Sequence, residues 1–288
     1  MAPSLLQFDP RRIRSWIYRI PLCTRILLAV IVALWAASIP LTWLRDWGSL
    51  VPEKVGLATM YRLNTYPLIH MGFIHMLFNL LALAPLLERF EAEHGTLVTL
   101  SLFTGPFGLL PGGIYIGIER LLLRSNTAIQ GASIWVFLLL ASEAMKTYKA
   151  HPYFSLGDVK IPTWTTPLVI ILFVSFLVPH TSLIGHLCGA AIGYLCASTL
   201  PLLLMPLVSI LHYDCAFLVP PERILRFIEG KLNLLGRLPH YVSIDQKTYG
   251  RYGVLPTTTT PPHAAPTLSG PDGGVPLSYI GSSQRLGT

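Results

Sequence analysis

The chain has 288 residues, of which 52% are hydrophobic and only 12% are charged. This composition, with a mean hydropathy of +0.56, excludes an ordinary soluble domain and indicates an integral membrane protein. The formal net charge of +7 favours a lipid bilayer as partner and not a nucleic acid, because no aromatic residues alternate with the basic ones as they do in a nucleic-acid groove.

Residues 1–25 form a basic segment with one acidic residue, Asp9. Its arginines are Arg11, Arg12, Arg14, Arg19 and Arg25. Because positively charged flanks stay on the cytoplasmic side, the N-terminus is predicted to be cytoplasmic. The apolar residues of RRIRSWIYRI recur at helical spacing, which predicts a short amphipathic helix in the membrane interface.

Residues 26–206 contain six apolar stretches, most of them near the ~20 residues that cross a bilayer. They lie at residues 26–44, 68–87, 97–118, 129–145, 166–179 and 183–206. The sequence therefore predicts an all-α membrane protein with six transmembrane helices. Since the number of crossings is even, the C-terminus is also predicted to be cytoplasmic.

Two further segments follow the last stretch. Residues 207–245 contain PERILRFIEGKLNLL, a predicted juxtamembrane amphipathic helix. Its apolar face would consist of Ile224, Ile228, Leu232 and Leu235. Residues 246–288 are rich in Pro, Gly, Ser and Thr, which predicts a disordered tail.

Three polar residues interrupt the second stretch, which reads YPLIHMGFIHMLFNLLALAPLL from residue 66 to 87. They are His70, His75 and Asn79. Polar groups in a bilayer are costly unless partnered, so these residues are candidates for function. His75 and Asn79 are four residues apart and share a helix face, whereas His70 is predicted to point away from it and to brace the preceding loop.

The sixth stretch carries glycines every four residues in GHLCGAAIG, a pattern that lets another helix approach closely. These glycines are Gly185, Gly189 and Gly193. In the QGAS segment of the fourth stretch, Gly131, Ala132 and Ser133 are predicted to form the matching small surface. Packing of these helices would hold Ser133 against His186, as a nucleophile and its base require. Because the second, fourth and sixth spans start on the same, lumenal face, these residues share one depth with His75 and Asn79.

A serine and a histidine at one depth predict nucleophilic catalysis, in which the imidazole removes the hydroxyl proton. The only Asp or Glu in the predicted spans is Glu143, ten residues beyond Ser133 near the end of the fourth stretch, so no carboxylate is expected beside His186, and Ser133 and His186 would act as a dyad. His75, Asn79 and the Ser133 N–H are candidate donors to the oxyanion. His180 is an alternative base, disfavoured because it lies outside the glycine stripe. The chain has no HExxH segment, which disfavours a metalloprotease, and no aspartates that face each other within spans, which disfavours an aspartyl protease. No metal or other cofactor is predicted.

These motifs resemble those of the rhomboid family of intramembrane serine proteases. YRLNTYPLIHMGFIHMLFN is similar to the family's Trp-Arg, then His, five residues, His, four residues, Asn; GAS and GHLCGAAIG stand at its serine and histidine motifs. The resemblance implies Ser133 and His186 as catalytic residues, an oxyanion hole with His75 and Asn79, a supporting Arg62, and a six-transmembrane-helix rhomboid bundle. Ile134 stands where the family has a second glycine and must fit between the fourth and sixth helices.

The end of the tail carries a second resemblance. IGSSQRLG, residues 280–287, is similar to the SHP-box segment that binds the valosin-containing-protein type of AAA ATPase, which implies contacts from Gly281, Arg285, Leu286 and Gly287. With both features, the chain resembles fungal Golgi-type rhomboids linked to processing of SREBP-like precursors. They imply single-pass membrane proteins as substrates and a Golgi or endoplasmic reticulum membrane.

Two other functions remain open at this point. A catalytically inactive rhomboid-like scaffold could bind membrane clients for the ATPase, although such proteins typically lack the serine or the histidine that this chain retains. A transporter is disfavoured, because the predicted spans carry a single charged residue, Glu143 near the end of the fourth stretch, whereas ion coupling uses charged residues near the membrane midplane.

Overall fold

The structure is a computed structural model, and it describes residue 14 and residues 18–178, 181–197 and 218–246. These ranges are mostly helical and belong to one unit, residues 1–255, whereas a second unit, residues 256–288, lies outside them. The α-helices, numbered α1 to α11 in chain order, are Leu22–Ala37, Trp43–Gly48, Arg62–Thr65, Phe73–His94, Thr96–Phe103, Pro106–Gly117, Ser133–Ala150, Thr166–Leu177, Leu183–Ala197, Glu222–Leu232 and Leu234–Arg237. Ile118–Leu123 continues α6 as a π-helix.

Helices coincide with all six predicted stretches, but their bounds differ. The predicted second span begins at residue 68, whereas α4 begins at Phe73, because Gly72 has an extended backbone (φ −141°, ψ 161°). Helix α4 also extends beyond the predicted end at residue 87, to His94, and ends where Gly95 adopts φ +92°. In the described ranges two helices are long and apolar enough to cross a membrane, Phe73–His94 and Thr96–Leu123, and three shorter apolar helices accompany them. The count of six crossings stays a prediction.

A β-hairpin between α7 and α8 is absent from the all-α prediction. Strand β1, Tyr153–Leu156, pairs antiparallel with β2, Val159–Pro162. Gly157 adopts φ +62° in the turn, a conformation that glycine reaches without a steric penalty. The helical periodicity of the flanking stretches carries no signal for so short a hairpin.

Helix α7 lies in the core, where Trp135 and Leu138 are almost completely buried. The outer helices instead expose large apolar side chains, including Phe78 and Leu81 on α4 and Phe173 and Phe176 on α8. Phe176 is 89% exposed. An outer surface of this kind suits lipid, which solvates apolar side chains at no cost.

Buried carboxylates lie at the C-terminal end of α4, because this helix extends beyond residue 87 and so includes acidic residues that the predicted second span leaves out. The longer helix includes Glu91, which is fully buried. Its carboxylate accepts hydrogen bonds from the Cys23 and Thr24 backbone N–H groups at 2.8 and 2.7 Å, and from the Thr24 and Thr96 hydroxyls at 2.7 Å each. Glu91 therefore caps α1 and ties it to the start of α5.

Several predictions concern residues outside the described ranges. The tail from residue 247 onward lies there, with its predicted contacts Gly281, Arg285, Leu286 and Gly287. So do His180 and, in the basic N-terminal segment, residues 1–13 and 15–17. The proposed domain boundaries remain predictions.

Candidate active site

Ser133 is the first residue of α7, and not a residue some way into a span that begins at 129. Helical backbone cannot extend further back, because Gly131 adopts φ +117°. The preceding loop is held by Leu50 and Ile129, which exchange two backbone hydrogen bonds of 2.9 Å, and by the Gly131 N–H, which donates to the Tyr66 carbonyl at 2.8 Å. The first N–H groups of a helix lack intrahelical partners and carry its positive dipole end, so the Ser133 backbone suits an anion.

His186 lies on α9 with its Nε2 atom 3.1 Å from the Ser133 Oγ atom. The residue is 3% exposed, and its Nδ1 atom is buried without a partner in the described part of the chain. The ring packs on Phe137 with 4.5 Å between centroids. Helix α9 starts at a cap, because the Ser182 hydroxyl accepts from the Gly185 N–H at 3.0 Å. The Ser182 cap at the start of α9 and the position at which α7 begins thus bring Ser133 and His186 to hydrogen-bond distance.

Glycines allow the close approach of α7 and α9, as the spacing predicts, but the three glycines differ in how little space a side chain would have. A Cβ atom on Gly189 would clash with the Ile134 carbonyl oxygen, and one on Gly193 would clash with that of Leu138. A Cβ atom on Gly185 would lie 3.3 Å from the Ser182 hydroxyl, a much milder contact. Ile134 is accommodated because Gly189, which has no side chain, faces its backbone.

Gly131 faces α4 and not α9, which corrects its predicted place in the small surface opposite the glycine stripe. A Cβ atom there would lie 2.7 Å from His75 Cε1 and 3.5 Å from Asn79 Nδ2. The absence of a side chain lets the imidazole and the amide lie against the loop two residues before Ser133. The Asn79 Nδ2 atom is buried and has no partner among the described residues. His75, Asn79 and Ser133 therefore meet around Gly131.

His70 lies in the loop before α4, fully buried. Its Nε2 atom accepts a hydrogen bond from the Ala132 N–H at 3.1 Å, and its Nδ1 atom lies 3.3 Å from the Leu68 carbonyl oxygen. These contacts agree with a role in bracing the loop. The expectation that the ring points away from His75 is wrong, because the ring centroids are 5.3 Å apart. Residue 70 precedes the helix, so helical spacing does not apply to it.

Arg62 lies on the short helix α3, and its guanidinium donates to the backbone carbonyls of Asp46 and Ser49. The neighbouring Tyr61 stacks on Trp47 with 5.1 Å between ring centroids. Arg62 therefore joins α3 to the end of α2 and does not reach the reacting atoms. Tyr61 supplies the aromatic ring that the motif usually takes from tryptophan.

A cavity of about 280 Å³ opens onto the serine and histidine. Its lining includes His75, Gln130, Ser133, Ile134 and His186. Water occupies ~30 Å³ per molecule, so several molecules fit beside polar groups that can bind them. The cavity is therefore large enough for the water that hydrolysis of a peptide bond requires.

Tyr66 and Gln130 adjoin the site without a predicted role. The Tyr66 carbonyl binds Gly131, and its hydroxyl donates to the Gly108 carbonyl at 3.2 Å. The Gln130 Oε1 atom is buried without a partner in the described ranges. Gln130 could have been found from the sequence, because it is a polar residue at the start of an apolar stretch. Tyr66 could not, because it holds Gly131 through its backbone carbonyl, which no side-chain pattern reveals.

Comparisons with known proteins agree on one family. Residues 57–202 match the family described as Rhomboid domain. The chain is 57% identical, over 98% of its length and 96% of the relative's, to rhomboid-type serine protease B of Aspergillus fumigatus. It is 49% and 50% identical, over 100% of both chains in each case, to the rhomboid-type serine proteases 2 of Podospora anserina and Gibberella zeae.

Proposed function

Since this chain belongs to the rhomboid family and is a rhomboid-type serine protease embedded in the membrane, we propose that Ser133 and His186 form its catalytic dyad. The observation that carries the proposal is the 3.1 Å separation of Ser133 Oγ and His186 Nε2 at a cavity. The reaction is hydrolysis of a peptide bond in or near the transmembrane segment of a single-pass protein.

In the first step His186 Nε2 removes the Ser133 hydroxyl proton while Oγ attacks the scissile carbonyl carbon. For Nε2 to accept, the neutral ring must carry its proton on Nδ1. No carboxylate faces Nδ1 among the described residues, since that atom is buried without a partner. The Phe137 ring, 4.5 Å away, offers its π-face to the imidazolium that forms. His186 then protonates the leaving amine, and water hydrolyses the acyl-enzyme.

The tetrahedral intermediate carries a negative oxygen that needs hydrogen-bond donors. The buried and unpartnered Asn79 Nδ2 atom supports a role as one donor, because leaving it unpaired costs free energy that an oxyanion would recover. His75 and the Ser133 N–H, at the positive end of α7, are the others. His70 holds the Ala132 N–H and so positions the loop without touching the reacting atoms.

The finer assignments rest on the sequence resemblances and on charge. In this proposal both termini lie on the cytoplasmic side of a Golgi or endoplasmic reticulum membrane. The substrates would include SREBP-like precursors, and residues 280–287 would recruit a valosin-containing-protein type of AAA ATPase. Substrate helices would unwind locally before cleavage, because a helical amide is shielded from attack.

A fluorophosphonate probe tests the dyad in the full-length protein. Wild type should be labelled on Ser133, and Ser133→Ala and His186→Ala should each lose labelling and cleavage while remaining folded. His240→Ala is the matched control, since that histidine lies in the segment after α11. Cleavage retained by Ser133→Ala would overturn the proposal. Wild-type protein that binds clients but shows no serine-dependent labelling would favour the inactive scaffold.

Deletion of residues 280–288 tests the tail separately. Pull-down of the ATPase should be lost while probe labelling is retained. Unchanged pull-down would remove the ATPase from the proposal without affecting the protease.

A further inference from the structure

The segment from α10 to Ile244 docks on the helix ends remote from the active site. The Leu22 N–H donates to the His240 carbonyl at 2.9 Å, and the Thr96 N–H donates to the Val242 carbonyl at 2.8 Å. The Val242 N–H in turn donates to the Thr96 hydroxyl at 2.9 Å. Since Leu22 begins α1 and Thr96 begins α5 directly after the end of α4, the segment lies at one membrane face.

One side of α10 holds it to the protein. Leu225 and Glu229, four residues apart, are each 4% exposed. The Glu229 carboxylate accepts from the Tyr241 hydroxyl at 2.8 Å and from the Ile244 N–H at 3.1 Å. The docked side was not part of the predicted amphipathic pattern, which assigns α10 a single apolar face.

A neighbouring side of α10 is apolar and open. Ile224, Phe227 and Leu232 are 51%, 64% and 57% exposed. They lie within about 140° of each other on the helix, at 100° per residue. A water-facing surface would not favour three large apolar side chains on an eleven-residue helix, but the boundary between headgroups and acyl chains would.

The unpaired charges of α10 and α11 are basic. Arg223, Lys231 and Arg237 are exposed, and none forms an ion pair with another described residue. The exposed acids Glu222 and Asp245 are both paired with Arg226, and Glu229 faces inward. Lys231 also lies over the Phe227 ring, with its Nζ atom 5.7 Å from the centroid. The unneutralised charge on this side is therefore positive.

We propose that α10 is a lipid-binding helix, which inserts Ile224, Phe227 and Leu232 into the membrane surface and binds anionic headgroups through Arg223, Lys231 and Arg237. The occupant is lipid because the hydrogen bonds to Leu22 and Thr96 hold the helix at the level where the apolar helices enter the bilayer. Anionic lipid is favoured over zwitterionic lipid because basic residues near a negative surface each add to binding. This surface is separate from the active site.

Photo-crosslinking of the full-length protein in lipid vesicles tests the proposal. Phe227→benzoylphenylalanine places the probe on the open apolar side, and Arg226→benzoylphenylalanine is the matched control, because Arg226 is exposed and lies about 160° from Ile224 and about 120° from Leu232 around the helix. Residue 227 should form lipid adducts, with a higher yield in vesicles that contain phosphatidylserine than in phosphatidylcholine alone. Residue 226 should form few in either.

A charge variant completes the test. Combining Arg223→Gln, Lys231→Gln and Arg237→Gln should bring the ratio of adduct yields with and without phosphatidylserine to about one, while the melting temperature of the protein is unchanged. Equal lipid adducts at residues 227 and 226 would overturn the proposal. So would a protein adduct at residue 227 in native membranes, which would identify a protein as the occupant.

Discussion

The two ends of α4 and α7 treat buried polar atoms in opposite ways. At the active-site end, Asn79 Nδ2, Gln130 Oε1 and His186 Nδ1 are buried without partners, and they are half of the six such atoms in the described part of the chain. At the other end Glu91 accepts four hydrogen bonds. Arg89, Glu93, Glu143 and Lys146 form a network of ion pairs there, with separations of 2.6–3.1 Å.

This difference separates the source of stability from the source of activity. A buried polar atom without a partner costs about 1–3 kcal/mol, so three at one end of these helices persist only because the rest of the fold supplies that free energy. The paired end holds α1, α4, α5 and α7 together. In the proposed mechanism, the unpaired end keeps hydrogen-bond donors and acceptors available for a substrate. Substitutions at the two ends should therefore change different measurements.

The largest effect is expected where the packing common to both ends is broken. Gly193→Leu should prevent folding, at a cost of ~3 kcal/mol or more, because its side chain would overlap the Leu138 carbonyl. The yield of monodisperse protein in detergent measures this. Gly113→Leu on α6 is the control, since a Cβ atom there meets nothing within 4 Å. Equal yields from the two variants would contradict the close approach of α7 and α9.

Asn79→Ala should change activity without lowering stability. Loss of one oxyanion donor lowers the rate constant by roughly 10² to 10³, and removal of an unpaired buried amide should leave the melting temperature unchanged or slightly higher. Cleavage kinetics and thermal unfolding measure the two quantities. A lower melting temperature with normal kinetics would place Asn79 in the structural group instead.

Glu91→Gln should show the reverse. The amide keeps one acceptor oxygen where two carboxylate oxygens accept from Cys23, Thr24 and Thr96, and the free energy of unfolding should fall by about 2 kcal/mol. The cleavage rate well below the melting temperature should stay normal. Glu222→Gln, on the exposed side of α10, is the control. A reduced rate in Glu91→Gln at full stability would show that the two ends are coupled.

Lys146→Met should have the smallest effect. The side chain is 22% exposed, and Arg89 still bridges Glu93 and Glu143 when it is lost. We expect a decrease of about 1 kcal/mol in the free energy of unfolding, smaller at high salt because ions screen partly exposed pairs. Thermal unfolding at low and high ionic strength checks this. A decrease that does not depend on salt would indicate lost packing instead.

Residues that act within a helix were predictable from the sequence. The spacing of His75 and Asn79 predicts that they share one face of α4, and both side chains do lie on the side of α4 that faces Gly131. The spacing of Gly189 and Gly193 indicated the packing that holds α9 against α7. Periodicity is a property of the helix itself, so it can be read without knowing the partner.

Residues that act from loops were not predictable in the same way. His70 was placed by helical spacing, yet it precedes α4 and binds the Ala132 N–H, 62 residues away. Gly131 was paired with the wrong helix, because its φ of +117° is set by the bonds that hold the loop. The docking of Val242 on Thr96, across 146 residues, had no signal in the sequence.

The sequence by itself determined the membrane character of the chain and the chemical types available for a site, because polar residues in apolar stretches are few and stand out. Only the tertiary structure decided which of them meet, which carboxylates are buried away from the cavity, and which side of α10 stays open. The physical reason is that hydrogen bonds between distant backbone segments set the loops, and the loops set the positions at which α4, α7 and α9 begin.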